Sequence, residues 1–328
     1  MTGASDDLDQ LGGDIKLSWQ RFLDIFEPLR PDLYRYCRYL TRSPWDAEDL
    51  VQDAMARGFV TLGTLFHTLP NPRTWLFRVA TNLWIDRKRR QQRERELSAP
   101  QPPEPSPADV RASREAAGTL LVTLAPQERA AVVLKDVFAF SLDEIATTLS
   151  TTVGAVKAAL HRGRDKLAEP PPTPTRAPAS GVLDAFAAAF NARDLPALTA
   201  LLLDDAVTEI VGLVTEYGAE TPADADTGSF AHAFLPITRT DAGGIDDRHL
   251  TDYLVSAPRC EVREHRDQQI LLFWFDHTSG PAVRAVWTLE TDDTRIARIR
   301  NYFFVPEVIT EVCRELALPF RVNGYRYW

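Results

Sequence analysis

Two proline-rich stretches most restrict how this chain of 328 residues folds. Each holds five prolines within ten residues. Proline has no backbone N–H to donate and its ring fixes φ, so neither stretch can form a helix interior or a central strand. We therefore predict extended linkers over residues 97–107 and 169–179, which separate three domains over residues 1–96, 108–168 and 180–328.

The charge of the chain is unevenly distributed. The net charge is −9, yet residues 1–170 carry 23 Lys+Arg and 23 Asp+Glu and are neutral as a group. Residues 171–328 carry 14 basic and 23 acidic residues, which is the whole excess. A neutral half with local basic clusters can bind phosphates, whereas an acidic half repels them. Any nucleic-acid interface is therefore predicted in the first half.

The composition is that of a soluble globular protein, with 45% apolar and 25% charged residues. No apolar run approaches the ~20 residues of a membrane span, and the acidic first nine residues do not resemble a secretory signal. The cysteines, Cys37, Cys260 and Cys313, are widely spaced, so neither a disulfide framework nor a metal cluster is predicted. We expect a cytoplasmic protein without a metal or a cofactor.

The segment over residues 71–90 combines an apolar stripe with a cationic end. At helical spacing its apolar residues fall on one side, which is predicted to pack on a core. Asn82 and Asp86 are four residues apart and can reach one exposed patch beside the basic run. Such a patch suits phosphates and unstacked bases, and a solvated helix end is the alternative. The candidate DNA-binding residues here are Asn82, Asp86, Arg87, Lys88, Arg89 and Arg90.

Residues 124–168 predict a helix-turn-helix. Ser141 and Glu144 have the spacing of a capping box, a turn follows at 150–152, and a long helix with a basic exposed face ends the piece. A basic second helix suits the major groove of DNA, and a generic helical hairpin with a charged face is the alternative. The candidate DNA-binding residues here are Thr152, Lys157, His161, Arg162 and Arg164.

A group of acidic residues precedes the basic segment. Asp46, Asp49 and Asp53 share one helix face, with Gln52 beside them. Because no histidine lies nearby, we interpret these residues as a solvated acidic face rather than a metal or catalytic cluster.

The third piece predicts two helices followed by strands, over Ala206–Tyr217, Gln268–Asp276, Val283–Glu290 and Arg295–Phe304. This pattern is typical of an α+β domain with a curved antiparallel sheet. Asp276 and His277 stand where a strand enters a turn and neighbouring residues point in opposite directions, so we do not expect catalysis from this pair. The candidate pocket residues are Glu209, Trp274, Asp276, Arg300 and Tyr302.

The first two pieces resemble bacterial extracytoplasmic-function (ECF) sigma factors of the sigma-70 family. Asp46–Ala54 and Trp75–Asp86 are similar to region two of that family, and Leu124–Arg129 with Ser141–Arg164 is similar to region four. Ala158, Ala159 and Gly163 depart from the residues that are common in region four, which implies less base readout by this helix.

The resemblance implies two all-α sigma domains that bind core RNA polymerase and promoter DNA. Residues 1–96 would bind the β′ clamp helices, read the −10 element and open the duplex. Residues 108–168 would bind the β flap and read the −35 element. The residues implied to contact the polymerase are Asp46, Asp49, Gln52 and Asp53.

The third piece resembles a SnoaL-like domain, which implies a cone-shaped α+β barrel. In sigma factors such an extension regulates activity in cis, which implies no enzyme activity and no dedicated anti-sigma protein. We expect autoinhibition in a compact free protein. The aromatic tail Tyr325–Trp328 would dock either in a groove elsewhere in the chain or on its own domain. The alternative function is a small-molecule-sensing or enzymatic SnoaL-like domain fused to a helix-turn-helix regulator.

Overall fold

The computed structural model describes residues 3–64, 69, 71–97, 124–166, 181–224, 228–230, 258–266, 268–277, 279–292 and 294–325. It contains two compact units, Met1–Thr173 and Pro174–Trp328. Both predicted linkers, apart from Leu97, lie outside the described residues, as do the last three residues of the tail.

The first unit begins with four helices. They are α1 (Gly3–Phe26), α2 (Arg30–Thr41), α3 (Pro44–Leu62) and α4 (Pro72–Leu97), with a 3₁₀ turn over Glu27–Leu29. Local chemistry sets the helix starts. The Ser43 side chain accepts a hydrogen bond from the Asp46 amide at the start of α3. Asn71 does the same for the Thr74 amide at the start of α4. In each case a proline occupies the first helical position, where its missing N–H is not needed.

Among the described residues of the first unit, three shorter helices follow: α5 (Pro126–Asp136), α6 (Leu142–Thr148) and α7 (Val153–Lys166). The predicted capping box is confirmed, because the Ser141 hydroxyl accepts from the Glu144 amide and the Glu144 carboxylate accepts from the Ser141 amide. The helix-turn-helix formed by α6 and α7 is confirmed as well.

An aromatic cluster joins the two helical pieces. Tyr36 of α2 stacks on Phe77 of α4 at 5.0 Å between ring centroids. Phe138 and Phe140, which follow α5, both lie 5.4 Å from Phe77. All four rings are buried, so the segment that follows α5 packs against α2 and α4.

The second unit is an α+β fold. Helices α8 (Gly181–Ala192) and α9 (Leu195–Leu201) precede a six-stranded sheet, and α10 (Pro306–Glu315) follows it. The strands are β1 (Leu202–Ile210), β2 (Val214–Tyr217), β3 (Arg259–His265), β4 (Gln268–Phe275), β5 (Ala282–Asp292) and β6 (Arg295–Asn301).

The strand order is β2-β1-β6-β5-β4-β3. The predicted antiparallel pairing holds except between β1 and β6, which are parallel. The predicted single run Ala206–Tyr217 is two strands, because the chain reverses between Ile210 and Val214. A mixed sheet preceded by two helices is the α+β architecture that the sequence predicts.

One face of the sheet packs on α8 and α9. The core there is aromatic. The ring centroids of Phe190 on α8 and Phe273 on β4 are 4.9 Å apart, and those of Phe273 and Trp287 on β5 are 4.3 Å apart. Phe186 and Phe230 complete the group. These rings pack between the helices and the sheet.

Candidate nucleic-acid interface

Helix α4 presents the predicted polar patch on the side away from its core. Leu76, Ala80 and Trp84 are buried, as the apolar stripe predicts. Asn82 and Asp86 are exposed, and so are Arg89 and Arg90 one turn later. The structure therefore brings the candidate base-reading residues and the basic residues to one surface.

Ion pairs organise the basic end of α4. Arg87 donates to the carboxylate of Asp53 on α3 at 2.8 Å, and Arg89 lies 3.5 Å from Asp86 within α4. Lys88 donates to the Gln91 side chain at 3.0 Å. Such exposed pairs contribute little to stability, so phosphates can compete for these arginines.

The acidic face of α3 is separate from the buried Glu48. Asp46 and Asp53 are exposed and Asp49 is half-buried. Glu48 is fully buried and pairs with Arg30 of α2, and its carboxylate also accepts from Gln52 at 2.6 Å. Gln52 is therefore held by Glu48, which leaves the three aspartates as the charged surface.

Helix α7 exposes the predicted basic residues Lys157, His161, Arg162 and Arg164, while Val156 and Leu160 are buried. The Thr152 hydroxyl, assigned to DNA from the sequence, accepts from the Ala155 amide at 3.2 Å and caps the helix. Ala159 is buried, so of the two unusual alanines Ala158 alone faces solvent.

Gly163 has a packing role in α7. A Cβ atom at this position would lie 2.8 Å from Cγ2 of Val132 on α5, which is closer than carbon atoms approach. The glycine therefore allows α7 to lie directly against α5, although it lowers helix propensity by about 1 kcal/mol relative to alanine.

Two arginines of α7 are held by carboxylates of α5. Arg162 donates through Nε to Glu128 Oε1 at 2.9 Å. Arg164 donates through Nε to Asp136 Oδ2 at 3.2 Å, and its Nη2 bonds the other oxygen of that carboxylate. Hydrogen bonding to Asp136, followed by its charge, raises the pKa of Arg164. Both guanidinium groups therefore have defined partners on α5.

Arg129 is a structural residue that the sequence did not indicate. It is buried, donates to the Leu40 carbonyl at 2.7 Å, and lies 5.4 Å from the Trp84 ring. Burial, followed by the charge of Arg42, lowers its pKa to about 10. The sequence feature that could have indicated this burial is the apolar run over 130–134. It covers every side of α5, so the charged residues next to it are enclosed as well.

The five candidate pocket residues of the second unit do not line its aromatic core. Trp274 alternates with the core residues Phe273 and Phe275, so it lies on the opposite face of the sheet. Its indole donates to Glu261 at 2.7 Å. Glu209 and Arg300 lie on the same face as Trp274, and Arg300 Nε is 3.5 Å from Glu209 Oε2.

The remaining two pocket candidates lie at strand ends. Asp276 is exposed just after β4, and Tyr302 is fully buried after β6. His277 is buried, whereas its neighbour Asp276 is exposed. Of the five residues, the structure brings Glu209 and Arg300 into direct contact.

The chain near the C-terminus packs on its own unit. Residues 319–321 bond the backbone of Val283, where Phe320 forms a parallel bridge. Asn323 donates to the carbonyls of Arg284 and Phe303 at 3.1 and 2.7 Å, and the Tyr325 hydroxyl donates to Glu307. Of the two predicted positions for the tail, its described residue Tyr325 takes the one on its own domain.

Among the described residues, no group of three His, Cys, Asp or Glu side chains is placed to hold a metal ion. None of the helices in that part of the chain combines the length and the apolar character that a bilayer crossing requires.

Comparisons with known proteins agree with the two helical pieces. Residues 25–94 match the family model of sigma-70 region 2, and residues 114–167 match that of sigma-70 region 4. The ECF RNA polymerase sigma factor SigW of Bacillus subtilis is 32% identical over 162 residues, covering 44% of this chain and 86% of SigW. Alignments with some other family members span 55–60% of those proteins.

One relative is similar over most of the chain. The ECF sigma factor SigJ of Mycobacterium tuberculosis is 28% identical over 298 residues, covering 76% of this chain and 89% of SigJ. The crystal structure of SigJ covers 85% of this chain and 95% of its own, with a TM-score of 0.31 and 19% identity. RpoE in complex with the anti-sigma factor NepR, from Bartonella quintana, covers 45% of this chain and 94% of its own, with a TM-score of 0.38 and 22% identity.

The match to SigW and the two region models decide the family. The protein belongs to the ECF sigma factors, which direct promoter-specific initiation of transcription by RNA polymerase.

Proposed function

We propose that Asn82 and Asp86 capture bases of the −10 element while Arg87, Lys88, Arg89 and Arg90 hold the adjacent phosphates. The observation that supports this most is the exposure of Asn82, Asp86, Arg89 and Arg90 on one side of α4, opposite a buried stripe. Opening a duplex requires a surface that binds unstacked bases beside the backbone, at a cost of roughly a few kcal/mol per base. This patch offers both kinds of contact.

Helix α7 takes the −35 element in this proposal. Lys157, His161, Arg162 and Arg164 form its exposed basic side, and Thr152 caps the N-terminal end of the helix. Phosphate contacts dominate the affinity of such a face, and Ala158 offers at most an apolar contact to a thymine methyl group. We expect modest base discrimination here compared with α4.

The acidic face of α3 docks on the polymerase in the same proposal. Asp46 and Asp49 are accessible to basic helices of a partner, and Gln52 and Asp53 lie along the same face. Asp53 also pairs with Arg87. Polymerase binding at Asp53 would therefore free Arg87 for phosphate.

Run-off transcription with core RNA polymerase tests these assignments. The template is a promoter duplex that the holoenzyme enriches from a randomised DNA pool. Asn82→Ala is expected to impair promoter opening and −10 discrimination and to leave core binding intact, while Asp46→Ala is expected to weaken core binding alone. Loss of core affinity by Asn82→Ala with normal opening would overturn the assignment of the helix faces.

The second unit is proposed to regulate the sigma factor in cis, without catalysis and without a dedicated anti-sigma protein. Residues 171–328 hold the whole charge excess of −9, and a short tether gives roughly millimolar effective concentration. Weak contacts with basic helices would then be populated. The aromatic core between α8, α9 and the sheet does not by itself support the alternative, a sensing or enzymatic domain.

Promoter-dependent transcription by the full chain and by Met1–Thr173, at equal core occupancy, tests regulation in cis. The shorter protein is expected to be more active. Equal activity of the two proteins would overturn the proposal. A separate protein that abolishes the activity of the full chain at stoichiometric ratio would contradict the absence of an anti-sigma protein.

A further inference from the structure

Glu128 connects two helices through its two carboxylate oxygens. Oε2 accepts from the Ala125 amide at 3.2 Å, which satisfies a donor at the start of α5. Oε1 accepts from Arg162 Nε on α7 at 2.9 Å. The Glu128 side chain is only 7% exposed. A buried, doubly bonded carboxylate of this kind has little freedom to move.

Arg162 is anchored on one edge and open on the other. Its side chain is 59% exposed although its Nε is bonded to a buried oxygen. Guanidinium carries five N–H donors in a planar fork, and this bond uses one of them. Its two Nη groups donate no hydrogen bond to a described residue. That outer edge has the geometry for a bidentate contact with a phosphate.

The adjacent glycine sets the distance from which Arg162 reaches Glu128. Because Gly163 has no Cβ, the turn of α7 that carries Arg162 can lie against α5. A Cβ atom added at Gly163 would be 3.6 Å from the Cβ and 3.6 Å from the carbonyl oxygen of Glu128. A wider separation would move Nε away from Oε1.

Arg164 differs from Arg162 in the same helix. It uses both Nε and Nη2 on Asp136. Both members of that pair are largely exposed, at 53% and 40%. Asp136 therefore competes with phosphate for Arg164, whereas Glu128 leaves the phosphate-binding edge of Arg162 open.

We propose that Glu128 is a positioning residue for DNA recognition: it fixes the inner edge of Arg162 so that the Nη edge is already oriented toward a phosphate. This rests on the proposed DNA-binding role of α7. Ordering the side chain in advance removes a conformational cost that would otherwise oppose binding.

The experiment measures affinity of the holoenzyme for the duplex that it enriches from a randomised pool, over a series of salt concentrations. Glu128→Ala is expected to weaken binding roughly three- to tenfold, because the freed side chain must be ordered on binding. Arg162→Ala is expected to flatten the dependence of log K on log salt by about one unit. Once Arg162 is alanine, Glu128→Ala is expected to cost less than about twofold, because nothing remains to be positioned.

Three further variants separate positioning from folding. Glu128→Gln keeps an oxygen for Arg162 and is expected to restore most of the binding. Arg162→Lys keeps the charge without a fork that spans Glu128 and phosphate, and is expected to bind like Arg162→Ala. Asp136→Ala, at an exposed carboxylate, is the matched control and is expected not to weaken binding. Circular dichroism identifies any variant that does not fold, and Arg162→Lys tests the inference without altering Glu128.

Equal losses from Glu128→Ala with Arg162 present and absent would overturn the inference, as would full affinity of a folded Glu128→Ala protein. Failure of the proposed function has a different signature. In that case Arg162→Ala would change neither the affinity nor the salt dependence, while core binding stayed intact.

Discussion

Glu48 and Glu128 are both buried glutamates that bind an arginine of another helix, but the arginines differ. Arg30, the partner of Glu48, is 8% exposed, and the pair holds α2 against α3. Arg162, the partner of Glu128, is 59% exposed and lies on the basic side of α7. The first pair is enclosed, so its function is structural. The second can also bind a ligand, because one edge of its guanidinium reaches solvent. Exposure of the arginine, rather than of the acid, therefore distinguishes the two roles.

Removal of Glu48 should have the largest effect. Glu48→Ala leaves Arg30 as a buried charge without its carboxylate, so we expect the free energy of unfolding to fall by about 3–5 kcal/mol. Urea unfolding of the full chain measures this. The control is Asp53→Ala, which breaks the exposed pair with Arg87 and should cost at most about 1 kcal/mol. Equal losses would contradict the distinction between enclosed and exposed pairs.

Glu315 of the second unit also binds an arginine, but its side chain is less buried than those of Glu48 and Glu128, with 40% exposed. Burial acts to raise its pKa, but hydrogen bonds from His265 and Arg266 outweigh this and lower it to about 2. The unfolded value is about 4.3, so the stabilisation is present above that pH and is lost as pH falls toward 2.

We expect Glu315→Gln to lower the melting temperature by roughly 3 °C at pH 7, corresponding to about 1 kcal/mol after discounting for solvent screening. The difference from the unsubstituted protein should shrink below about pH 4 and vanish near pH 2. Scanning calorimetry across this range checks the prediction. A difference that grows on acidification would have the wrong sign.

The two glycines of α7 test how closely Arg162 must approach Glu128. Gly163→Ala gains about 1 kcal/mol of helix propensity but meets Val132, and overpacking costs about 1–3 kcal/mol. We therefore expect net destabilisation of about 1 kcal/mol and weaker promoter binding. Gly154→Ala is the control, because an added Cβ there would lie 3.9 Å from Thr152 Oγ1, an ordinary van der Waals distance, and the expected gain is up to about 1 kcal/mol. Thermal melting and promoter affinity measure both. Unchanged affinity in Gly163→Ala would show that the close approach is not required.

Arg90→Ala should have the smallest effect of these substitutions. Arg90 is exposed on α4, and no described side chain forms an ion pair with it. Its loss should remove about one phosphate contact and flatten the log–log salt dependence by about 0.9, without changing the free energy of unfolding by more than about 0.5 kcal/mol. Filter binding at several salt concentrations measures the slope. A substantial loss of stability would mean that Arg90, like Arg30, is structural.

Local sequence determined much of this protein. The Ser141–Glu144 capping box, the proline at the start of α4 and the apolar spacing of Leu76, Ala80 and Trp84 are interactions within a few residues. They therefore act the same way in any fold. For the same reason the exposed positions of Asn82 and Asp86 follow from the helix period.

Other features depend on residues that are far apart in the sequence, and these features can be seen in the tertiary structure alone. Glu48, Glu128 and Arg129 look like surface residues in the sequence, and their burial comes from helices that pack over them. The parallel pairing of β1 with β6 joins strands about 90 residues apart, which no local pattern encodes. Gly163 reads as a weak point of a helix until Val132 is seen beside it. In each case the free energy comes from desolvation and packing between segments far apart in sequence, and those terms exist only once the segments meet.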